Sequence, residues 1–244
     1  MTKKILFLMM GGIGSRFGAQ VPKQFIRINE VPVYRKILNL YNKAGLIDDV
    51  LIICNEKWLG KLKEELIQTK FNFRHEIIAG GMTRSGSIRN GVLRLKEENY
   101  DDDTVVLIHD ATHPYLDIRA VGDLCTVLNT YEAATLVTHV WDTVYLSDED
   151  QKAITLTLPR EKIAVGASPE GFQLSLLKSF YLSETVDRYT SVGNFLSENG
   201  IQVKLVWTDI CNLKITYPED LELYLKSYKY FDEANDDEKK LHSN

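Results

Sequence analysis

Apolar positions fall into short, nearly unbroken runs, and between the runs apolar residues recur at helical spacing. Ile5–Met10, Val50–Cys54, Glu76–Ala79, Val105–His109, Thr135–Val140 and Val203–Trp207 read as strands. Val33, Ile37, Leu40 and Tyr41 share one helical face. So do Trp58, Leu62 and Leu66, and Ile118, Val121, Leu124 and Leu128, with Asp117 as the N-cap of the last helix. The alternation predicts an α/β fold, a mostly parallel sheet with helices on both faces. Ligands of such open sheets bind beyond the carboxyl ends of the strands, so the loops after Met10, Ala79 and His109 should gather at one edge. Trp141–Leu158 breaks the rhythm and reads as two short strands around the polar turn Ser147–Gln151. A projecting hairpin is marginal alone, so this arm is expected to pair with a second copy of the chain.

The loop after the first strand, Gly11–Phe25, reads GGIGSRFGAQVPKQF. Its glycines, Gly11, Gly12 and Gly14 with Ser15 beside them, let backbone N–H groups approach and cradle phosphate oxygens. Arg16 and Lys23 add two cations, and Pro22 stiffens the approach to Lys23. A plain tight turn would explain the glycines alone but not the cations. A dinucleotide site fits less well: Phe17 fills the third glycine place, and the next strand ends in Cys54-Asn55 rather than a carboxylate. No GK[ST] closes the loop as in a Walker A motif. Strand, glycine turn and two cations point to a nucleoside triphosphate held for chemistry at phosphorus.

Composition narrows the setting. The chain has 244 residues, 44% of them hydrophobic, enough for one large core, and no linker or repeat divides it. One domain over 1–231 is expected, with the arm at about 141–158 and a charged, apolar-poor tail over 232–244 expected to fray. A net charge of −5 argues against a general nucleic-acid surface. Cys54, Cys125 and Cys211 form no CxxC pair and read as thiols of a reducing compartment. The N-terminal apolar run is too short for a secretory signal and none is long enough to span a bilayer, so a cytoplasmic protein without membrane contact is expected.

Four further segments carry chemistry. Gly80–Gly91, GGMTRSGSIRNG, follows a strand and opens a helix; its hydroxyls are helix caps or readers of a base edge. His109-Asp110-Ala111-Thr112-His113-Pro114 ends a strand. Pro114 disfavours a helix at His113, so the two histidines need not share a face, and Asp110 as a Mg2+ ligand is the better reading. Leu158–Phe172 offers Arg160 and Ser168, and Asn212–Thr216 offers Lys214.

Together and in this order, these segments resemble the cytidylyltransferases of methylerythritol phosphate and ribitol phosphate, from Lys4 to about Leu225. The matching pieces are GGIGSRFGAQVPKQF, GGMTRSGSIRNG, LIHDATHPYL, VWDTV at Val140–Val144, PREKIAVGASPEGF and NLKITYPEDL. The resemblance implies a Rossmann-like fold with a dimerisation arm. It implies catalysis by Arg16, Lys23 and Lys214, cytosine contacts at Gly81 and Ser87, and metal and acceptor contacts at Asp110. Thr143, Arg160 and Ser168 match acceptor-side positions, Arg160 and Ser168 near the arm and placed to serve a partner subunit's site. Gly11-Gly12 is closer to the ribitol phosphate branch, where the isoprenoid branch has alanine before glycine. Three acceptor-side departures stand out: His113 replaces an arginine, Ser191 an aspartate, and Ala167–Glu170 a QTPQ-like run.

The expected reaction joins CTP to a polyol phosphate, ribitol 5-phosphate or a glycerol phosphate, giving a CDP-polyol and pyrophosphate for teichoic acid or capsule synthesis. The alternatives are a methylerythritol 4-phosphate cytidylyltransferase of isoprenoid synthesis and a non-catalytic nucleotide-binding relative. Mg2+ is the expected cofactor. A glycosyltransferase would need Asp101-Asp102-Asp103 at the site, but that run precedes a strand and reads as a solvated turn.

Overall fold

A computed structural model describes residues 2–11, 22–183 and 192–241, with side chains described for all of these except 194 and 231–241. β1 (Lys4–Met10) is buried from Ile5 onward. β2 (Arg27–Ile28) and β3 (Val31–Pro32) make a small hairpin, with Asn29 and Glu30 at φ 48° and 64° as a two-residue turn requires. α1 (Val33–Ala44) buries Val33, Tyr34, Ile37, Leu38 and Tyr41 and ends on left-handed Gly45, whose N–H donates to the Tyr41 carbonyl. β4 (Asp49–Cys54), α2 (Leu59–Leu66), β5 (Arg74–Ala79), α3 (Arg84–Glu97) and β6 (Val105–Asp110) continue the alternation. α4 (Ile118–Val127) is capped by Asp117, which accepts the Ala120 N–H at 3.0 Å, and leads to β7 (Ala133–His139). The arm follows as β8 (Val144–Ser147) and β9 (Ile154–Leu158), paired antiparallel. The chain closes with β10 (Ala164–Gln173), α5 (Leu174–Tyr181), α6 (Val192–Glu198), β11 (Lys204–Trp207) and α7 (Pro218–Leu241).

Seven strands form one sheet in the order β11-β7-β10-β6-β1-β4-β5. All run parallel except β10, which pairs antiparallel with both β6 and β7. Period-2 alternation divides the apolar side chains between two cores. Leu6, Leu8 and Met10 face α1, α2, α4 and α7, while Ile5, Phe7 and Met9 face α3, α5 and α6. The fold is thus the expected α/β sheet with helices on both faces. Gly11 at the end of β1, the turn after β5 and the end of β6 do meet at one edge.

One feature differs from the sequence reading. β10 has no counterpart in the run pattern, because Gly166, Pro169, Glu170 and Gly171 interrupt it. Its ladder with β7 shifts register between Gly166 and Glu170, and that irregularity accommodates Ser168 and Pro169. α7 extends to Leu241, through most of the segment expected to fray from Asp232. Among the described residues no helix is long and apolar enough to cross a membrane.

Candidate active site

The edge after β1 and β5 is built for close backbone approach. The Gly81 N–H donates to Ser87 Oγ at 3.0 Å, and Ser87 Oγ donates to the Thr83 carbonyl at 2.9 Å. Thr83 Oγ1 accepts the Gly86 N–H at 3.0 Å and caps α3. A Cβ on Gly81 would lie 2.6 Å from the Gly86 carbonyl carbon, so only glycine lets the loop close on the helix start. Gly11 lies against the same turn, its Cβ position 3.3 Å from Ser87 Oγ. Ser87 is buried, and its hydroxyl is spent inside the loop, shaping the cradle. Gly12, Gly14, Ser15 and Arg16 lie outside the described residues.

Where that loop rejoins the body, Gln24 Nε2 donates to the Met10 carbonyl at 2.9 Å and Lys23 Nζ to the Ile215 carbonyl at 2.7 Å. Lys23 therefore stands beside the segment that carries Lys214. That segment is anchored by buried Ile215, whose N–H donates to the Thr112 carbonyl at 2.8 Å.

Asp110 ends β6 at the centre of the edge. Its Oδ1 accepts from Arg84 Nε at 3.3 Å and its Oδ2 from Lys214 Nζ at 3.1 Å. Burial alone would raise its pKa, but the Arg84 and Lys214 charges hold it below the usual carboxylate value. Arg84 also donates through Nη2 to Glu170 Oε1 at 2.7 Å, tying α3 to β10. Ser168 Oγ accepts the Asp110 N–H at 3.3 Å. Ser168 thus sits against Asp110 of its own chain, where a role in a partner's site is expected.

The two histidines of the HDxxH run do different things. His109 is fully buried: its Nε2 donates to the His113 carbonyl at 2.9 Å, and its Nδ1 accepts from the Tyr41 hydroxyl at 3.0 Å. Burial pushes its pKa down to about 4 and the Tyr41 pKa well above the ordinary value. His109 is a neutral strut for the turn after β6, with both nitrogens occupied. His113 is partly buried, its Nδ1 lies 2.9 Å from Asn212 Oδ1, and burial and Lys214 lower its pKa.

Lys23, Gly11, Gly81, Ser87, Asp110, His113, Ser168 and Lys214 therefore converge on one edge. Thr143 and Arg160 stand exposed at the foot of the arm; Arg160 Nη1 donates to the Trp141 carbonyl at 2.7 Å. No hydrogen bond or ion pair among the described residues joins either to the Asp110 cluster. Ser191 lies outside the described residues. Arg84, Glu170 and Asn212 lie within quoted motifs but are given no role by the sequence reading, because the partners of Arg84 and Asn212 are 86 and 99 residues away.

The chain is similar to known proteins over most of its length. The sequence profile described as "IspD: 2-C-methyl-D-erythritol 4-phosphate cytidylyltransferase" matches residues 5–226. A relative from Geotalea uraniireducens (strain Rf4), named 2-C-methyl-D-erythritol 4-phosphate cytidylyltransferase, is 28% identical over 223 residues, spanning 88% of this chain and 94% of its own. The structure of 4-diphosphocytidyl-2C-methyl-D-erythritol synthase from Anaerococcus prevotii DSM 20548 superimposes with a TM-score of 0.75 at 19% identity, over 93% of this chain and 99% of that one. The 2-C-methyl-D-erythritol 4-phosphate cytidylyltransferase of Francisella tularensis gives 0.71 at 22% identity, over 91% and 98%. These structures share the fold.

The profile and the relative overturn the expectation of a ribitol 5-phosphate or glycerol phosphate acceptor, and with it teichoic acid and capsule synthesis: both are named for methylerythritol phosphate. The departures at His113 and Ala167–Glu170 suggest a stripped acceptor side. In the structure His113 and Ser168 are instead tied into its hydrogen-bonded frame, so those changes do not empty it.

Proposed function

The chain belongs to the 2-C-methyl-D-erythritol 4-phosphate cytidylyltransferase (IspD) family, and we propose that it transfers the cytidylyl group of CTP to methylerythritol phosphate. It is a nucleotidyltransferase. The acceptor's phosphate oxygen bonds to the α-phosphorus of CTP, the bond from that phosphorus to the bridging oxygen breaks, and pyrophosphate leaves with the electron pair. A phosphate monoester, with its second pKa near ~6, is already largely dianionic at neutral pH, so no general base is required. The enzyme's work is to bring two anions together and to offset charge as it builds.

The observation that carries this reading is the convergence of Lys214 and Arg84 on one carboxylate, Asp110, at the sheet edge, with Lys23 held on the Ile215 carbonyl next to Lys214. Lys23 and Arg16 serve the CTP phosphates, Arg16 as a fork and Lys23 as a point charge. The turn at Gly81 receives the cytosine. Asp110, His113, Ser168 and Lys214 serve the acceptor, with Ser191, Thr143 and Arg160 as outlying acceptor-side groups.

Mg2+ fits this arrangement. Asp110 is a carboxylate at the edge of the site, and a carboxylate that accepts two hydrogen bonds keeps lone pairs for a cation. Magnesium takes one or two carboxylates together with phosphate oxygens. Asp110 would hold the ion, which would supply positive charge against the repulsion between the phosphates. The arm supports a homodimer: Tyr145, Leu146, Ile154 and Leu156 are all exposed on it.

Pyrophosphate release with CTP and a panel of acceptors tests the reading. Methylerythritol 4-phosphate should turn over fastest, ahead of ribitol 5-phosphate and glycerol 3-phosphate. No turnover with methylerythritol phosphate in the presence of Mg2+ would refute it.

A further inference from the structure

Asn212 joins two acceptor-side residues, His113 and Ser168, and has no part in the chemistry above. Asn212 Oδ1 accepts the Ser168 N–H at 3.3 Å and lies 2.9 Å from His113 Nδ1, while Asn212 Nδ2 donates to the Gly166 carbonyl at 3.3 Å. A backbone N–H can only donate, so the atom facing Ser168 is the amide oxygen, and the orientation of the amide follows. An amide oxygen can only accept, so His113 must carry a proton on Nδ1. His113 is pinned at two more points: its N–H donates to the Asp110 carbonyl at 2.9 Å, and its carbonyl accepts from His109 Nε2. Its other ring nitrogen, Nε2, makes no hydrogen bond among the described residues.

We infer that Asn212 is a positioning residue that holds His113 in the Nδ1–H tautomer, so that the acceptor side presents Nε2 as a hydrogen-bond acceptor for a substrate hydroxyl. Arginine, which the family pattern has at this place, only donates. The histidine therefore reverses the sense of the hydrogen bond offered. It reads the proton of an alcohol, where a guanidinium reads oxygen lone pairs. His113 and Ser168, the two residues that share the Asn212 amide oxygen, both hydrogen-bond Asp110, so a change at Asn212 should be felt first by the acceptor. The inference rests on the cytidylyltransferase reading for the identity of the alcohol.

Long-range proton–nitrogen spectra of the imidazoles at pH 8, assigned with His113→Gln, report the tautomer with no substrate present. The intact protein should show His113 protonated at Nδ1. Asn212→Leu removes both ends of the amide at similar volume. It should lose that signature and raise KM for the acceptor about tenfold, the effect of one displaced hydrogen bond, with KM for CTP almost unmoved. Asn212→Asp keeps an acceptor for His113 and Ser168 and should retain the signature and most of the acceptor affinity. An Nε2-protonated His113 in the intact protein, an unchanged acceptor KM in Asn212→Leu, or an equal rise in both KM values overturns the inference. Should Asn212→Leu fail to fold, the intact spectrum and the KM values of Asn212→Asp decide it. If methylerythritol phosphate proves not to be the acceptor, the spectrum is unaffected and only the functional reading falls; KM is then read with the alcohol phosphate that does turn over.

Discussion

Asp110 shares its two oxygens between Arg84 and Lys214, so neutralising it weakens its hold on both cations at once, although Arg84 keeps Glu170. Asp110→Asn should lower kcat/KM by about 10²–10³, the usual effect of removing one preorganised charge contact, while far-UV dichroism stays native. Lys23→Ala should do the same through kcat, because its ammonium is already held beside Lys214 by the Ile215 carbonyl. Turnover near that of the intact enzyme in either variant would remove that residue from the machinery. The thiols make a separate prediction. Burial pushes the Cys54 and Cys125 pKa values up to about 11, whereas Cys211 is exposed. Since the thiolate is the reactive form, a thiol reagent at pH 8 should titrate one group in the native protein and three in denaturant. Rapid labelling of more than one native thiol would show that the core under α1, α2, α4 and α7 opens readily.

At the scale of elements, α3 lies unusually close to the sheet. A Cβ on Gly91 would fall 2.5 Å from Phe7 Cε2 and 2.8 Å from Ile53 Cδ1. Gly91→Ala gains helix propensity of about 1 kcal/mol, but overpacking a well-filled core costs about 1–3 kcal/mol. Phe7 and Ile53 are fully buried and have nowhere to turn, so the loss should win and the urea midpoint should fall. In the arm, Leu146 faces Leu156 across the strands and both are about half exposed. Replacing Val144–Leu158 by a short Gly-Ser turn should give a monomer in sedimentation, and an unchanged dimer would place the interface elsewhere. The arm, the parallel strands and the Asp117 cap are legible in the sequence because each is a local signal: alternation, an apolar run, or a capping side chain. β10 is not, since Gly166, Pro169 and Gly171 break every local pattern, and only its two neighbours make it a strand. Likewise Lys23 and Asp110 stand out within motifs. Arg84, Glu170 and Asn212 acquire meaning only from partners that the fold brings across the chain, and a single sequence does not display those pairings.

The proposed site is assembled from segments near Met10, Ala79, Asp110, Ser168 and Asn212, and those segments meet only in the native state. CTP at about 100 times its Kd should therefore add about 2.7 kcal/mol of apparent stability, visible as a higher thermal midpoint. ATP at the same concentration should do much less, and an equal shift would contradict selection of cytosine at the Gly81 turn. The strand order bears on a different event, the making of the protein. β10 lies between β6 and β7 although it follows both in the chain. On the ribosome, β1, β4, β5 and β6 can pair as they emerge, but the slot beside β6 stays open until Ala164–Gln173 has been synthesised. The arm, with its exposed apolar hairpin, is made within that same interval. Open strand edges and bare apolar surface are what nascent chains mispair through. Translation between the arm and β10 is therefore the stage at which this polypeptide depends most on a chaperone's cover.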